Sequence, residues 1–261
     1  MLKRTEGIVL RSFPFGEADL IVTYLTRDYG LMKLFAKSPR KTKSRFGSSL
    51  EPLTYATISF LGKEEASLPR LTQSDIIRPF QSLRNDFRCF LRVSELLDVT
   101  IRFLPEREPN AEAFSLLLHT LLRLSSDCAN DLYYLYHKVR LLEISGFSPR
   151  FDTCGNCGLP INTVAPSPGA SHSFFLSHGA VICGRCSGGD GGVVRLSDGT
   201  VRFYKSLIGW NPARIHRMRA HESLLSGVRD AIDSHIAHIL GRSGTLKKGE
   251  FIHHHSLDRR G

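Results

Sequence analysis

Four cysteines are the residues of this sequence whose type and spacing define a chemical site most clearly. They form two Cys-x-x-Cys pairs, Cys154 with Cys157 and Cys183 with Cys186. Each pair presents two thiolates to adjacent corners of a tetrahedron, the coordination geometry that zinc prefers. Because four sulfur ligands leave no open coordination position, the pattern predicts one structural zinc ion rather than a catalytic one.

The four cysteines also fit other interpretations. The segment between the two pairs has 25 residues, more than is typical of a zinc ribbon, although the entropy of loop closure rises slowly with length. His172 and His178 lie inside that segment and are possible replacement ligands. The four cysteines could also be metal-free thiols or a redox-active pair. Cys89 and Cys128 lie in a helical part of the chain and are interpreted as small buried thiols.

A basic stretch from residue 37 to residue 45 is the second candidate site. Five of its nine residues are Lys or Arg and none is acidic. The preceding segment has the composition of a strand, in which two-residue alternation places Lys33, Phe35 and Lys37 on one face. Cations contact phosphates and an aromatic ring stacks on a base, so this face suits single-stranded nucleic acid. The predicted nucleic-acid-binding residues are Lys33, Phe35, Lys37, Arg40, Lys41, Lys43 and Arg45.

The basic stretch also has a simpler interpretation, a solvated loop tip beside a core phenylalanine. Arg4 and Arg11 would extend the binding surface if they share its face.

The sequence has no phosphate-binding loop ending in Gly-Lys-Ser/Thr, no His-Glu-x-x-His and no Gly-x-Ser-x-Gly. These absences favour a binding protein over an enzyme. The alternatives are a zinc-ribbon transcription or translation factor that touches nucleic acid through its cysteine unit, and a nuclease or thiol oxidoreductase.

The composition supports a polyanionic partner. Lys and Arg number 35 against 25 Asp and Glu, which gives a formal charge of +10. Hydrophobic residues make up 41% and charged residues 23%, as in ordinary soluble globular proteins. No apolar segment is long enough for a signal-peptide core or a bilayer span. We therefore expect a cytoplasmic protein with reduced thiols, in which paired cysteines indicate metal binding.

The periodicity predicts two kinds of structure around these sites. Short segments rich in β-branched and aromatic residues predict five strands, which are 7–13, 18–26, 31–37, 54–61 and a weaker one at 66–77. Five strands in 80 residues favour a small barrel of the OB-fold type. Apolar residues at spacings of three and four then predict helices, which are 81–104, 111–125, 131–145, 200–208 and 221–240. Residues 150–195 are dense in Gly, Ser and Pro and are predicted to be loop-like.

The predicted fold class is therefore α+β and multidomain. A five-stranded OB-fold β-barrel at the N-terminus precedes an α-helical domain with an embedded four-cysteine zinc-finger module. The predicted domains are 1–80 for the DNA-binding OB-fold, 81–149 with 196–241 for the helical domain, 150–195 for the zinc module and 242–261 for a mobile basic tail.

The chain resembles the RecO family of bacterial recombination mediators, and the resemblance runs over most of its length. No single segment carries it, but the order and spacing of several do. They are Gly7-Ile8-Val9-Leu10, Phe15-Gly16-Glu17-Ala18-Asp19, Leu25-Thr26-Arg27-Asp28-Tyr29-Gly30, Ala36-Lys37-Ser38-Pro39-Arg40, Ser94-Glu95-Leu96-Leu97-Asp98, Ala113-Phe114-Ser115-Leu116-Leu117 and Leu141-Leu142-Glu143-Ile144-Ser145-Gly146-Phe147-Ser148-Pro149, which leads into Asp152-Thr153-Cys154-Gly155-Asn156-Cys157-Gly158.

The resemblance implies an OB-fold, a helical domain, a zinc-finger module and a role in recombinational repair. It implies binding of single- and double-stranded DNA and annealing of complementary strands without a nucleotide cofactor. It further implies work with RecR, contact with single-stranded-DNA-binding protein and help in loading RecA, in a nucleoid-associated protein with no small-molecule substrate. The long segment between the cysteine pairs and the run His253-His254-His255 have no family counterpart, and neither is assigned a role.

Overall fold

The computed structural model describes residues 1–39, 46–62, 68–161, 171–183, 185–186 and 192–241. The chain divides into two compact units, Met1–His137 and Lys138–Gly261. No helix in the described ranges combines the length and the apolar character that a membrane crossing requires.

The first unit begins with a closed barrel of five strands. The strands are β1 (Leu2–Phe15), β2 (Asp19–Thr26), β3 (Gly30–Ala36), β4 (Tyr55–Leu61) and β5 (Arg70–Arg78). Their order is β1-β2-β3-β5-β4, and β4 pairs again with β1. The β3–β5 pairing is parallel and joins Phe35 to Arg70 and Ala36 to Leu71, whereas the other pairings are antiparallel. The five predicted strands are therefore confirmed, although β1 is longer than the predicted 7–13 at both ends and β5 begins at Arg70 rather than at residue 66.

Side-chain alternation fills the barrel and sets its outer face. In β3 the buried residues Met32, Leu34 and Ala36 alternate with Lys33 and Phe35, which face outward. The barrel core contains Val9, Val22, Tyr24, Met32, Leu34, Ala36, Phe46, Leu50, Ala56, Ile58, Phe60 and Leu71. Because a one-residue slip would expose this set to water, the apolar core fixes the register of the outward residues.

Helices complete the first unit. They are α1 (Gln81–Asn85), α2 (Phe87–Phe103), α3 (Ala111–Leu124) and the first half of α4 (Asp131–Ile144). The helix predicted over 81–104 is broken at Asp86, which has extended backbone angles and caps α2 by accepting a hydrogen bond from the Cys89 N–H at 2.9 Å. Asn110 caps α3 in the same way through the Ala113 N–H.

Cys89 and Cys128 form a disulfide, so the interpretation of both as separate buried thiols is wrong. The bond joins α2 to the connection between α3 and α4 across 39 residues of sequence. Arg92 joins α2 to the start of α4 nearby, because its guanidinium lies 2.5 Å from the Asp131 carboxylate and 3.7 Å from the Tyr134 ring centroid. Two cysteines that meet only through tertiary packing leave no pattern in the local sequence that would predict their pairing.

The second unit contains a small sheet where the sequence predicted loops. Its strands are β6 (Ser171–Phe175), β7 (Ala180–Ile182) and β8 (Val193–Ser197), in the order β7-β6-β8. The expectation that 150–195 is loop-like is wrong for these strands, since strands of three to five residues between glycines are too short for a periodic signal. α5 (Asp198–Gly209) and α6 (Glu222–Ile239) follow. Phe151 packs between Phe174 and Tyr204, at ring-centroid distances of 5.1 and 4.6 Å.

Two glycines with nearly equal φ angles allow a test of the packing at the β2–β3 turn. Gly30 has φ +65° and a Cβ there would overlap the Glu108 backbone, whereas Gly16 has φ +64° and open space. Gly16→Ala is expected to lower the free energy of unfolding by about 1 kcal/mol, from left-handed strain alone. Gly30→Ala is expected to cost about 2 kcal/mol more, because backbone must move. Urea denaturation of both variants measures the difference, and equal losses would contradict the close contact.

Candidate nucleic-acid interface and metal centre

The four predicted cysteine ligands converge in the second unit. The sulfur atoms of Cys154, Cys157, Cys183 and Cys186 all lie within 4.8 Å of one another. A tetrahedral ion with metal–sulfur bonds of about 2.3 Å requires sulfur–sulfur distances of about 3.8 Å, and Cys157 Sγ lies 3.8 Å from Cys183 Sγ. The donor set and its spacing therefore fit a metal ion such as zinc.

Backbone hydrogen bonds fold each Cys-x-x-Cys segment into a tight turn. The Gly158 N–H donates to the Cys154 carbonyl at 2.9 Å, and the Cys186 N–H donates to the Cys183 carbonyl at 2.9 Å. Gly158 has φ +71°, a left-handed conformation that glycine adopts without a steric penalty. The Cys183 N–H donates to Cys154 Sγ at 3.3 Å, so one turn contributes a donor to a ligand of the other.

The cysteine cluster packs on the small sheet. Cys154 is 1% exposed and lies in an apolar cluster with Phe175 and Ile182. The Gly155 N–H donates to the Val181 carbonyl, and a Cβ on Gly155 would lie 2.6 Å from the Ala180 side chain. The first turn thus rests directly on β7, and an ion in the cluster would tie this turn to the sheet.

The electrostatics of the cluster favour a bound cation. Backbone N–H groups of Cys157 and Cys183 lower the pKa of the Cys154 thiol to about 6. Hydrogen bonds to the sulfurs of Cys183 and Cys157 raise the pKa of the Cys186 thiol to about 12. Four thiolates held this close repel one another, and a dication removes that repulsion. The low pKa of Cys154 favours its thiolate, whereas Cys186 keeps its proton at neutral pH until a bound cation displaces it.

The two histidines considered as ligands have other partners. His172 Nε2 pairs with the Asp198 carboxylate. His178 Nδ1 lies 3.0 Å from the Ser177 hydroxyl. Among the described residues, the metal-binding group consists of the four cysteines.

The outer face of β1, β2 and β3 carries the described part of the predicted nucleic-acid surface. Strand register places Phe13, Ile21 and Phe35 in one cross-strand row. The adjacent row contains Arg11, Thr23 and Lys33. Residues directly opposite each other in an antiparallel sheet share a face and contact one another. We call the residues Arg11, Phe13, Phe15, Lys33, Phe35, Lys37 and Arg70 the outer face of the barrel.

Two cations of the outer face pair with acidic groups of the same unit. Lys33 pairs with Glu106, and both side chains are 49% exposed. An exposed pair of this kind contributes about 0–1 kcal/mol, so a phosphate can replace the carboxylate at little cost. Arg11 lies 2.6 Å from Asp98, which also binds Arg102 at 2.7 Å. One carboxylate between two guanidinium groups leaves a net positive charge there.

Lys37 and Arg70 are exposed and form no ion pair with a described residue. Arg70 lies beside Phe35 in the parallel β3–β5 register. Ser38, the next residue after Lys37, has φ 56° and donates its N–H to Asp19 Oδ1 at 2.6 Å, which fixes the exit of the chain from β3. The predicted site residues Arg40, Lys41, Lys43 and Arg45 lie outside the described residues.

Three residues of the outer face were missed from the sequence. The predicted strand 7–13 ends at Phe13 and leaves out Phe15, but β1 continues through both. Their signal is the two-residue alternation of Arg11, Phe13 and Phe15, which follows a register shift between Val9 and Arg11. Arg70 joins the face through barrel closure, which no local pattern reveals.

Comparison with known proteins gives a consistent result over nearly the whole chain. Residues 1–80 match the family described as "Recombination protein O N terminal", and residues 84–248 match "Recombination protein O C terminal". The chain is 44% identical to "DNA repair protein RecO" of Thermodesulfovibrio yellowstonii, over 92% of this chain and 94% of the relative. It is 35% identical to the protein of that name from Frankia casuarinae, over 83% and 86% of the two chains.

A relative of the same name from Myxococcus xanthus is 30% identical over 97% of this chain and 98% of its own length. The match thus includes the strands of the barrel, the helices and the segment with the cysteine cluster. By these matches and by the order of its elements, the chain belongs to the RecO family.

Proposed function

We propose that this protein is a DNA-binding recombination mediator of the RecF-type repair pathway, and that its barrel is an OB-fold that binds DNA. The observation that carries the proposal is the outer face of the barrel, on which cations surround aromatic rings. The net charge of +10 supports a polyanionic ligand. The relatives named "DNA repair protein RecO" support a role in DNA repair.

The proposed mechanism is electrostatic and needs no nucleotide. Lys33 and Lys37, with the cations of residues 40–45, neutralise phosphates of single- or double-stranded DNA. Neutralised strands repel each other less, so two complementary strands anneal on the protein without ATP. A mediator of this kind would act with RecR and single-stranded-DNA-binding protein, and would help to load RecA on the coated strand. These activities require a cytoplasmic, nucleoid-associated protein and a binding function rather than catalysis.

We propose that the cysteine cluster holds one zinc ion with a structural role, in a module spanning residues 150–195. A closed four-sulfur shell has no free coordination position for a substrate. The buried Cys154 and its contacts with β7 support a role in fastening the turn to the sheet. The helical domain, 81–149 with 196–241, and the basic tail, 242–261, complete the proposed domain organisation.

Metal analysis tests the proposed zinc ion. Wild-type protein is expected to contain one zinc per chain, and Cys154→Ser is expected to lose it because three thiolates bind far more weakly than four. The variant should also melt roughly 5–10 °C lower, because binding of a structural metal contributes to folding. His178→Ala is the matched control, since His178 is close to the cluster in sequence but is expected to leave both values unchanged. Unaltered metal content in Cys154→Ser would contradict the assignment.

Salt-dependent DNA binding tests the proposed interface. Contact with about five phosphates of a single strand gives a slope of about −3.5 in log K against log salt, and a loss of affinity of about 100-fold from 50 to 200 mM salt. The triple variant Arg40→Ala, Lys41→Ala, Lys43→Ala should reduce the slope by about 2 and weaken binding alike for all sequences.

The control is a triple variant that removes the same charge from the second unit, Lys205→Ala, Arg214→Ala, Arg219→Ala. This variant should bind DNA like wild type. Arg185→Ala tests the alternative that the cysteine module is the nucleic-acid contact. Loss of binding in Arg185→Ala, with normal binding by the barrel triple variant, would replace our proposal with the zinc-ribbon function. A strand-annealing assay with and without RecR and single-stranded-DNA-binding protein tests the mediator role itself.

A further inference from the structure

We propose that Phe13 and Phe15, together with Phe35, form a base-stacking surface that makes the barrel select single-stranded DNA over duplex. The inference rests on the proposed DNA binding by the outer face. It adds the residues that distinguish single-stranded DNA from duplex DNA. Cations attract both forms of DNA, so selection between them needs a second kind of contact.

Phe13 and Phe15 are exposed on the outer face of the barrel, where a ligand can contact them. Phe13 is 43% exposed and Phe15 is 52% exposed, although each is a large apolar side chain in a regular strand. Phe15 packs edge-on against Phe35, with ring centroids 5.9 Å apart and an interplanar angle of 88°. Phe35 stands in line with Phe13 across β2. Phe15 and Phe35 therefore form an aromatic pair, and Phe13 lies on the same face of the sheet, two residues from Phe15 along β1 and across Ile21 from Phe35.

The positive charge around the phenylalanine rings favours nucleic acid as the ligand of this surface. The Arg11 guanidinium lies 5.2 Å from the Phe13 ring centroid and is held there by Asp98. Arg70 lies beside Phe35 in the strand register, and the exposed Lys37 follows directly after the end of β3 at Ala36. A single strand offers bases to the rings and phosphates to these cations at the same time.

The geometry of duplex DNA explains the expected selectivity. Bases in a duplex are stacked on one another, so a protein reaches their edges through the grooves and reaches the phosphates, but not the base faces. Bases of a single strand can leave the stack and lie on an aromatic ring. Loss of the rings should therefore weaken binding of single strands and leave binding of duplex intact.

The test measures dissociation constants for three ligands of equal length, a thymidine oligonucleotide, a chain of abasic sites and a duplex. Wild-type protein should bind the thymidine strand more tightly than the abasic strand. The variant Phe13→Leu, Phe15→Leu keeps apolar side chains but removes the π faces, and should lose about tenfold or more in affinity for thymidine. Its affinities for the abasic strand and the duplex should change less than twofold. Phe15→Trp, with a larger stacking face, should retain thymidine binding.

Phe87→Leu is the matched control, because Phe87 is 67% exposed in the same unit but begins α2 rather than lying on the outer face. Equal losses for all three ligands in the Phe13/Phe15 variant would overturn the proposal and indicate a role in positioning the cations. No loss for any ligand would also overturn it, and would leave the outer face as a phosphate contact or a protein-binding surface. If wild-type protein bound none of the ligands, the proposed DNA binding would fail as well.

Discussion

The parallel contact between β3 and β5 closes the barrel, and the site depends on that closure. Phe35 and Ala36 pair with Arg70 and Leu71 at this seam. Once the seam fixes the register, Ala36 and Leu71 must face the core, and Phe35 and Arg70 must face solvent. The same alternation carries Lys33 outward on β3, while antiparallel pairing aligns Arg11 and Phe13 of β1 beside it. The apolar side chains packed inside the barrel thus fix the strand register. That register places cations and aromatic side chains in a row on the outside.

The two candidate sites differ in how their charges are stabilised. The cysteine turns bring four sulfurs together, one of them buried, and a cation bound among them would offset the repulsion between the thiolates. The outer face of the barrel instead keeps its cations at the surface, where Lys33 has an exposed acidic partner that phosphate can displace. Closed coordination suits a structural role, whereas exposed and exchangeable charge suits a polyanionic ligand. This difference is why we propose that the barrel, rather than the cysteine module, binds DNA.

Much of this arrangement could be predicted from particular residues. Alternation placed Lys33, Phe35 and Lys37 on one face, because it depends only on residues close together in the sequence. The cysteine spacing predicted the cluster, because it follows from the ligands that a metal ion prefers. The disulfide of Cys89 with Cys128 and the position of Arg70 could not be predicted, because both arise from packing between distant segments. The strands β6, β7 and β8 were missed because each is too short to show a period. Phe13 and Phe15 were missed because the predicted strand ended at Phe13, whereas β1 pairs with β2 through to Phe15.

Side-chain footprinting of the full chain tests most directly whether DNA lies on the outer face of the barrel. Hydroxyl radicals oxidise exposed side chains, and Phe13, Phe15, Phe87 and Leu159 are all exposed in the free protein. With a saturating thymidine oligonucleotide, the account predicts reduced oxidation of Phe13 and Phe15 and unchanged oxidation of Phe87 and of Leu159, which lies beside the cysteine cluster. Protection of Leu159 without protection of Phe13 and Phe15 would contradict the account and place the DNA on the cysteine module.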